Sequence, residues 1–173
     1  CAPTRFSILT GLHASVMGTG NMRSRNRVPA FVEPYTHYLQ AAGYYVTNDS
    51  KTDYNYATVD TEAGKALTYS EWQVLDSRLW NEGSYTDRAP EQPFFHVYNI
   101  FESHESRLHS PIKNRQHDPT QVTLPPYHPD TPEIRADWAQ YYDRITQMDA
   151  LVGKKLAELK AAGELGNTIV FYY

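Results

Sequence analysis

Apolar positions in the last third of the chain repeat with a helical period. Ile134, Trp138, Tyr141, Ile145, Met148, Val152, Leu156 and Leu159 follow one another at intervals of 4, 3, 4, 3, 4, 4 and 3, which places them along one stripe of a long helix. Thr131 suits its N-cap and Pro132 its first helical position, and Gly163 ends it. A shorter pattern, Phe6, Ile8, Leu9 and Leu12 after Pro3, predicts a first helix with Cys1 at its N-terminus, loosened at Gly11 and Gly18. Residues Pro34 to Ala42 predict another helix, closed by Gly43 at the C′ position.

Three runs read as strands. Tyr44-Tyr45-Val46-Thr47 is β-prone and follows the Gly43 stop. Residues Phe94 to Phe101 are nearly continuous in apolar and aromatic side chains, the pattern of a strand covered on both faces of a parallel sheet. Asn167 to Tyr173 predicts a final strand with no turn after it, and the chain starts without Met, so both ends read as cut. Residues 57 to 92 lack a sustained period, with one helix expected near Ser70 to Trp80. Pro111, Pro119, Pro125, Pro126, Pro129 and Pro132 mark residues 109 to 132 as a long extended loop. The alternation of strands and helices predicts an α/β fold with a mainly parallel central sheet flanked by helices. Ligands in such sheets bind beyond the carboxyl ends of the strands, where Lys51 and His104 both fall.

Composition narrows the class of partner more than the class of fold. The 173 residues are enough for one globular domain, and 16 Lys and Arg against 20 Asp and Glu give a net charge of -4, so no global basic field favours nucleic acid. No stretch approaches the roughly 18 to 20 apolar residues of a membrane span. A single Cys excludes an internal disulfide framework and any Cys-rich zinc site, leaving a buried thiol or a reactive one. The cluster Met22-Arg23-Ser24-Arg25-Asn26-Arg27 is locally basic and reads first as a solvated loop. Glu102, Glu105, Asp118, His109 and His117 have no strand- or helix-fixed spacing and read as loop composition rather than a metal site.

The opening run Cys1-Ala2-Pro3-Thr4-Arg5-Phe6-Ser7-Ile8-Leu9-Thr10-Gly11 resembles the signature of the type I sulfatases, Cys-x-Pro-x-Arg followed by an apolar pair and Thr-Gly. Every specified position is filled. The resemblance implies the alkaline-phosphatase-like fold and oxidation of Cys1 to formylglycine by a maturation enzyme. It also implies hydrolysis of sulfate esters or sulfamates. An aldehyde hydrate has two hydroxyls, so one residue both attacks sulfur and later ejects sulfate, which a plain serine does not do. Helix N–H groups beneath Cys1 would favour the developing negative charge. Arg5, one turn further on the same face, is expected to reach back toward residue 1 or the sulfate.

Three further segments are similar to the same family. In Ala42-Gly43-Tyr44-Tyr45-Val46-Thr47-Asn48-Asp49-Ser50-Lys51-Thr52-Asp53, Lys51 fills the position of a sulfate-holding Lys. Asp53 stands where the family usually has His, so either another His replaces it or the nucleophile is ordered differently here. Pro93 to Ser106 is similar to the strand that ends in a substrate-facing His, which makes His104 the expected sulfate contact and acid, with His109 as competitor. The helix from Ala136 to Gly163 and the run Glu164 to Phe171 are similar to the segment leading into the family's metal motif. The loop Val122 to Tyr127 with Pro129 to Asp137 is most similar to heparan N-sulfatase-like members.

The resemblance thus implies an internal part, residues 1–173, of a single catalytic domain. The expected cofactor is one Ca2+, with formylglycine at position 1 as a ligand and the other ligands outside this chain. Expected substrates are sulfated small molecules or glycans, including glycosaminoglycans, in a periplasmic, secreted or lysosomal setting. A phosphohydrolase of the same fold is the rival enzyme, though it carries Ser or Thr as nucleophile. A non-catalytic glycan-binding relative is the rival of another class.

Overall fold

The computed structural model describes residues 1–24, 27–56 and 79–173. The chain forms two compact units, Cys1–Asn99 and Ile100–Tyr173. The expected helix near Ser70 falls on residues outside those described, apart from Leu79 and Trp80, and so do Arg25 and Asn26 of the basic cluster.

The first unit begins with helix α1, Ala2–Thr10. Pro lies in its first turn, where a missing N–H costs nothing, and Cys1 is the N-cap. The Cys1 side chain makes no cap hydrogen bond, while its carbonyl accepts from the Arg5 backbone N–H at 2.9 Å. The helix stops at Gly11, whose φ of 72° is left-handed and suits a residue without Cβ. Ala2, Phe6 and Leu9 are fully buried on its inner face. Phe6 and Leu9 pack with Val28, Val32, Tyr54, Tyr56 and Leu79. Within this core the Tyr56 hydroxyl donates to the Val32 carbonyl at 3.0 Å. Burial, reinforced by the charge of Glu33, pushes the Tyr56 phenol up to about 12.

Helix α2, Tyr35–Ala41, follows Pro34 and leads into strand β1, Tyr45–Asn48. Strand β2, Phe94–Val97, runs parallel to β1 with Tyr45 opposite Phe94 and Asn48 opposite Val97. The expected parallel pairing is therefore present. The expected reach of β2 is not: it ends at Val97 rather than Phe101, and its four residues are half-buried rather than covered on both faces. Among the described residues β2 pairs with β1 alone. Two residues past its end, Asn99 turns its side chain onto Asn48 and Asp49, bonds that take the chain out of ladder geometry.

The second unit is organised on helix α3, Pro132–Ala161, with Thr131 as N-cap accepting from the Ile134 N–H. Its deepest positions are Ala139, Gln140 and Asp143 rather than the apolar stripe. The reason lies in the proline-rich segment beside it. Its prolines interrupt backbone pairing within that segment, and helix side chains meet the carbonyls and N–H groups left over. Gln140 donates to the Leu108 carbonyl at 2.8 Å, Arg144 to the Ser110 carbonyl at 2.6 Å and Arg135 to the Val122 carbonyl at 3.2 Å. Asp143 accepts from the N–H groups of Gln116 and His117 at 2.9 and 3.0 Å. Asp118 caps a short 3-10 turn, Pro119–Gln121, and the Thr120 N–H holds its carboxyl below the usual range.

Asp143 is 2% exposed, so its removal leaves two backbone donors without acceptors. Asp143→Ala is expected to cost about 3 kcal/mol, read as an earlier urea midpoint, because each orphaned buried donor costs about 1 to 3 kcal/mol.

The final strand expected over Asn167–Tyr173 is absent. Leu165–Asn167 is a short 3-10 turn, and Ile169, Phe171, Tyr172 and Tyr173 are 81%, 74%, 70% and 77% exposed. The run has strand propensity but no ladder partner among the described residues, and extended backbone without a partner is not a strand. No helix among the described residues is long and apolar enough to cross a membrane.

Candidate active site

Two parallel strands and the start of α1 meet at the carboxyl ends of β1 and β2, and Arg5 is the side chain that ties them. It sits in the first turns of α1, so its backbone is fixed by the helix while its guanidinium crosses to the loop after β1. Its Nε donates to the Thr52 carbonyl at 2.8 Å. One Nη donates to Asn99 Oδ1 at 2.9 Å. The other donates to the Lys51 carbonyl at 2.9 Å and the Tyr54 hydroxyl at 2.8 Å. The guanidinium also lies 4.3 Å from the centre of the Tyr54 ring, a cation–π contact. The sequence reading has Arg5 reaching toward residue 1 or the sulfate. In the structure its fork bonds consecutive carbonyls of the 51–54 loop, which makes it the residue that positions that loop.

Lys51 is held through its main chain. Its carbonyl accepts from both Arg5 and Asn48 Nδ2, and its own N–H donates to the Asp49 carbonyl at 2.8 Å. Asn99 closes the arrangement by accepting from Arg5 while its amide donates to Asn48 Oδ1 at 3.0 Å. The loop is thus pinned from α1, from the end of β1 and from the segment after β2. Several of its residues have left-handed backbone: Ser50, Asp53 and Asn55 have φ of 61°, 63° and 51°. Such conformations cost energy in a residue with Cβ and persist where the surroundings dictate them.

Cys1 is exposed. Its Sγ lies 4.0 Å from Asp53 Oδ2, the outer limit for a thiol hydrogen bond, and the other Asp53 oxygen lies 3.6 Å from Arg23 Nε. Cys1, Arg5, Lys51 and Asp53 therefore share one corner of the first unit. The sequence marked Asp53 only as a departure from a pattern, and Asn99 not at all. The available signal was a carboxamide inside the otherwise apolar and aromatic run Phe94 to Phe101.

His104 belongs to the second unit. It precedes the 3-10 turn Glu105–His109 as its N-cap, and its Nδ1 accepts from the Ser106 N–H at 3.2 Å. With Nδ1 accepting, the neutral ring carries its proton on Nε2, which is then a donor. His109 is exposed at the end of the same turn.

Among the described residues no three His, Cys, Asp or Glu side chains converge as a metal cluster. A hard divalent cation takes six or more oxygen ligands, so the described residues do not complete a site for one.

The family profile described as Sulfatase matches residues 1–173. The chain is 29% identical to the ulvan-active sulfatase of Formosa agariphila over 221 aligned positions, covering 100% of this chain and 35% of that protein. It is 43% identical to the human N-sulphoglucosamine sulphohydrolase over 56 residues, covering 32% of this chain and 11% of that protein. The chain thus spans about a third of the length of the first relative and matches a smaller share of the second. No solved structure matches it significantly. With the whole chain inside the family match and the signature Cys1-Ala2-Pro3-Thr4-Arg5 at the head of α1, the chain belongs to the sulfatase family.

Proposed function

We propose that the protein containing this chain hydrolyses sulfate esters or sulfamates on carbohydrates, with Cys1 oxidised to formylglycine. The observation that carries this reading is the arrangement around Cys1. The motif residue is exposed and makes no cap bond at the N-terminus of α1, and Arg5 of the same motif clamps the loop that bears Lys51. Once formed, the oxidised residue supplies a geminal diol, the chemistry that lets one position both take and release a sulfuryl group. The unpaired N–H groups at the start of α1 favour negative charge there.

Lys51 is assigned to a sulfate oxygen, where its charge offsets the anion in ground and transition states. Support comes from the double grip on its carbonyl, which fixes the base of a flexible side chain. His104 is assigned to the leaving group as proton donor, supported by the Ser106 bond that occupies Nδ1. His109 is the reserve for that role. Both compact units are assigned to one catalytic domain, since the family match runs through 1–173. A Ca2+ ion is expected from the family. Residue 1 as formylglycine would be one of its ligands, and the others would come from outside this chain.

The names of both relatives point to sulfated sugars, and this supports a glycan or sugar substrate, glycosaminoglycans included. On the family resemblance we assign the protein to the periplasm, the secretory route or the lysosome, with a formylglycine-generating enzyme as its maturation partner. The test is made on the complete protein coexpressed with that enzyme. The residue-1 peptide is expected about 18 Da lighter than its Cys form, from replacement of sulfur by oxygen and loss of two hydrogens. Turnover of an aryl sulfate or a glucosamine N-sulfate should exceed that of an aryl phosphate. An unmodified thiol in active enzyme, or preference for phosphate, overturns the reading.

A further inference from the structure

Asp53 occupies the position, two residues after Lys51, at which the sulfatase segment usually carries His, and the structure puts it against the nucleophile. Its Oδ2 is 4.0 Å from Cys1 Sγ, its Oδ1 is 3.6 Å from Arg23 Nε, and its side chain is 13% exposed. The left-handed backbone at φ 63° is what aims it. Arg5 fixes the residues just before it through the Lys51 and Thr52 carbonyls. Asn55 fixes those just after it, its amide donating to the Thr19 and Asn21 carbonyls at 3.1 and 2.8 Å. The loop is thus held on both sides of the carboxylate beside residue 1.

We propose that Asp53 is the positioning residue for the nucleophile: its carboxylate accepts a hydrogen bond from a hydroxyl of the oxidised residue 1, in the place the family gives to His. The inference rests on the conversion of Cys1 proposed above. A histidine donates or accepts according to its tautomer, whereas an ionised carboxylate only accepts, so the direction of this bond is fixed and residue 1 is the donor. One hydroxyl hydrogen is thereby turned toward Asp53, and the oxygen lone pairs are turned away from it. Arg23 at the other carboxylate oxygen offsets the repulsion that an uncompensated anion would exert on a bound sulfate. No proton is transferred in this role.

The left-handed backbone dictates the variants. Asp53→Gly removes the carboxylate and suits φ above zero, Asp53→Asn keeps shape and backbone preference, and Asp53→His installs the family's residue at a conformation His tolerates. The complete protein, coexpressed with the maturation enzyme, is compared for conversion by peptide mass, for kcat and KM on p-nitrophenyl sulfate, and for the rate at which methoxyamine traps the residue-1 aldehyde. Losing one charge-assisted hydrogen bond should lower kcat by roughly 10- to 100-fold with KM within about threefold. It should also speed trapping by about tenfold, because the hydrate loses its acceptor. Asp53→Asn should fall between, and Asp53→His should recover most of kcat.

Wild-type kcat and trapping in Asp53→Gly overturn the proposal. So does a kcat loss with unchanged trapping that Asp53→His does not recover. Converted wild type without turnover of sulfate ester or sulfamate defeats the sulfatase reading instead, and the trapping rates then still decide the role of Asp53. A wild type that is never converted overturns both.

Discussion

Arg5→Ala is expected to lower turnover of the complete enzyme by at least about 1000-fold and its stability by about 4 kcal/mol. The guanidinium donates to two main-chain carbonyls, a tyrosine hydroxyl and an asparagine oxygen at 2.8 to 2.9 Å. Each bond from a charged donor contributes about 1.5 to 3 kcal/mol, but bonds sharing one side chain do not add. Partial burial lowers the total further, hence a figure near the value of two such bonds. The catalytic loss is larger than the stability loss because the loop carries both Lys51 and Asp53. A displacement of about 1 Å in groups that must meet one sulfate costs on the order of 100-fold, and two groups move together. Arg5→Lys separates the two effects. A lysine ammonium reaches one or two acceptors but does not reproduce the fork, so it should regain part of the stability and little of the activity. Urea unfolding and steady-state rates on an aryl sulfate make the comparison. Turnover within tenfold of wild type in Arg5→Ala would remove the loop clamp from the account.

The same residue shows what was legible in the sequence and what was not. Cap and stop signals act over one helical turn, so Pro3, Gly11, Gly43, Thr131 and Gly163 could be read directly and mark the helix ends found in the structure. The family was readable because the signature is contiguous: Cys1 and Arg5 lie in one motif, and Lys51 is carried by a recognisable segment. Arg5's actual partners were not readable, since they lie 46 to 94 positions away and no local pattern encodes them. Strand extent failed for a related reason. Asn167–Tyr173 has every local mark of a strand, but a ladder is made by two segments, and β2 is shortened where Asn99 prefers side-chain bonds to Asn48 and Asp49. In α3, periodicity found the helix, whereas the burial of Gln140 and Asp143 follows from carbonyls and N–H groups in a loop 27 to 32 positions earlier.

Cys1→Ser is expected to abolish steady turnover while preserving a single release of alcohol. A serine hydroxyl at the N-terminus of α1 keeps the position, the helix N–H groups and the neighbouring Asp53 acceptor, so attack on sulfur remains open. What it lacks is the second oxygen on the same carbon. Once the sulfuryl group is on serine, the O–S bond must be cleaved by water without help from that carbon. Mixing enzyme with p-nitrophenyl sulfate should therefore give a burst of nitrophenol close to one equivalent, followed by a stall. The residue-1 peptide should gain about 80 Da, the mass of an added SO3. Cys1→Ala should show neither burst nor adduct, which separates attack by residue 1 from attack by water elsewhere. Sustained sulfate release by Cys1→Ser would show that the second oxygen is dispensable. The variant also discriminates against the phosphohydrolase reading, because serine is the ordinary nucleophile of that class. If the site were built for phosphate, Cys1→Ser should turn over p-nitrophenyl phosphate repeatedly, whereas a sulfatase site should give at most one equivalent from either ester.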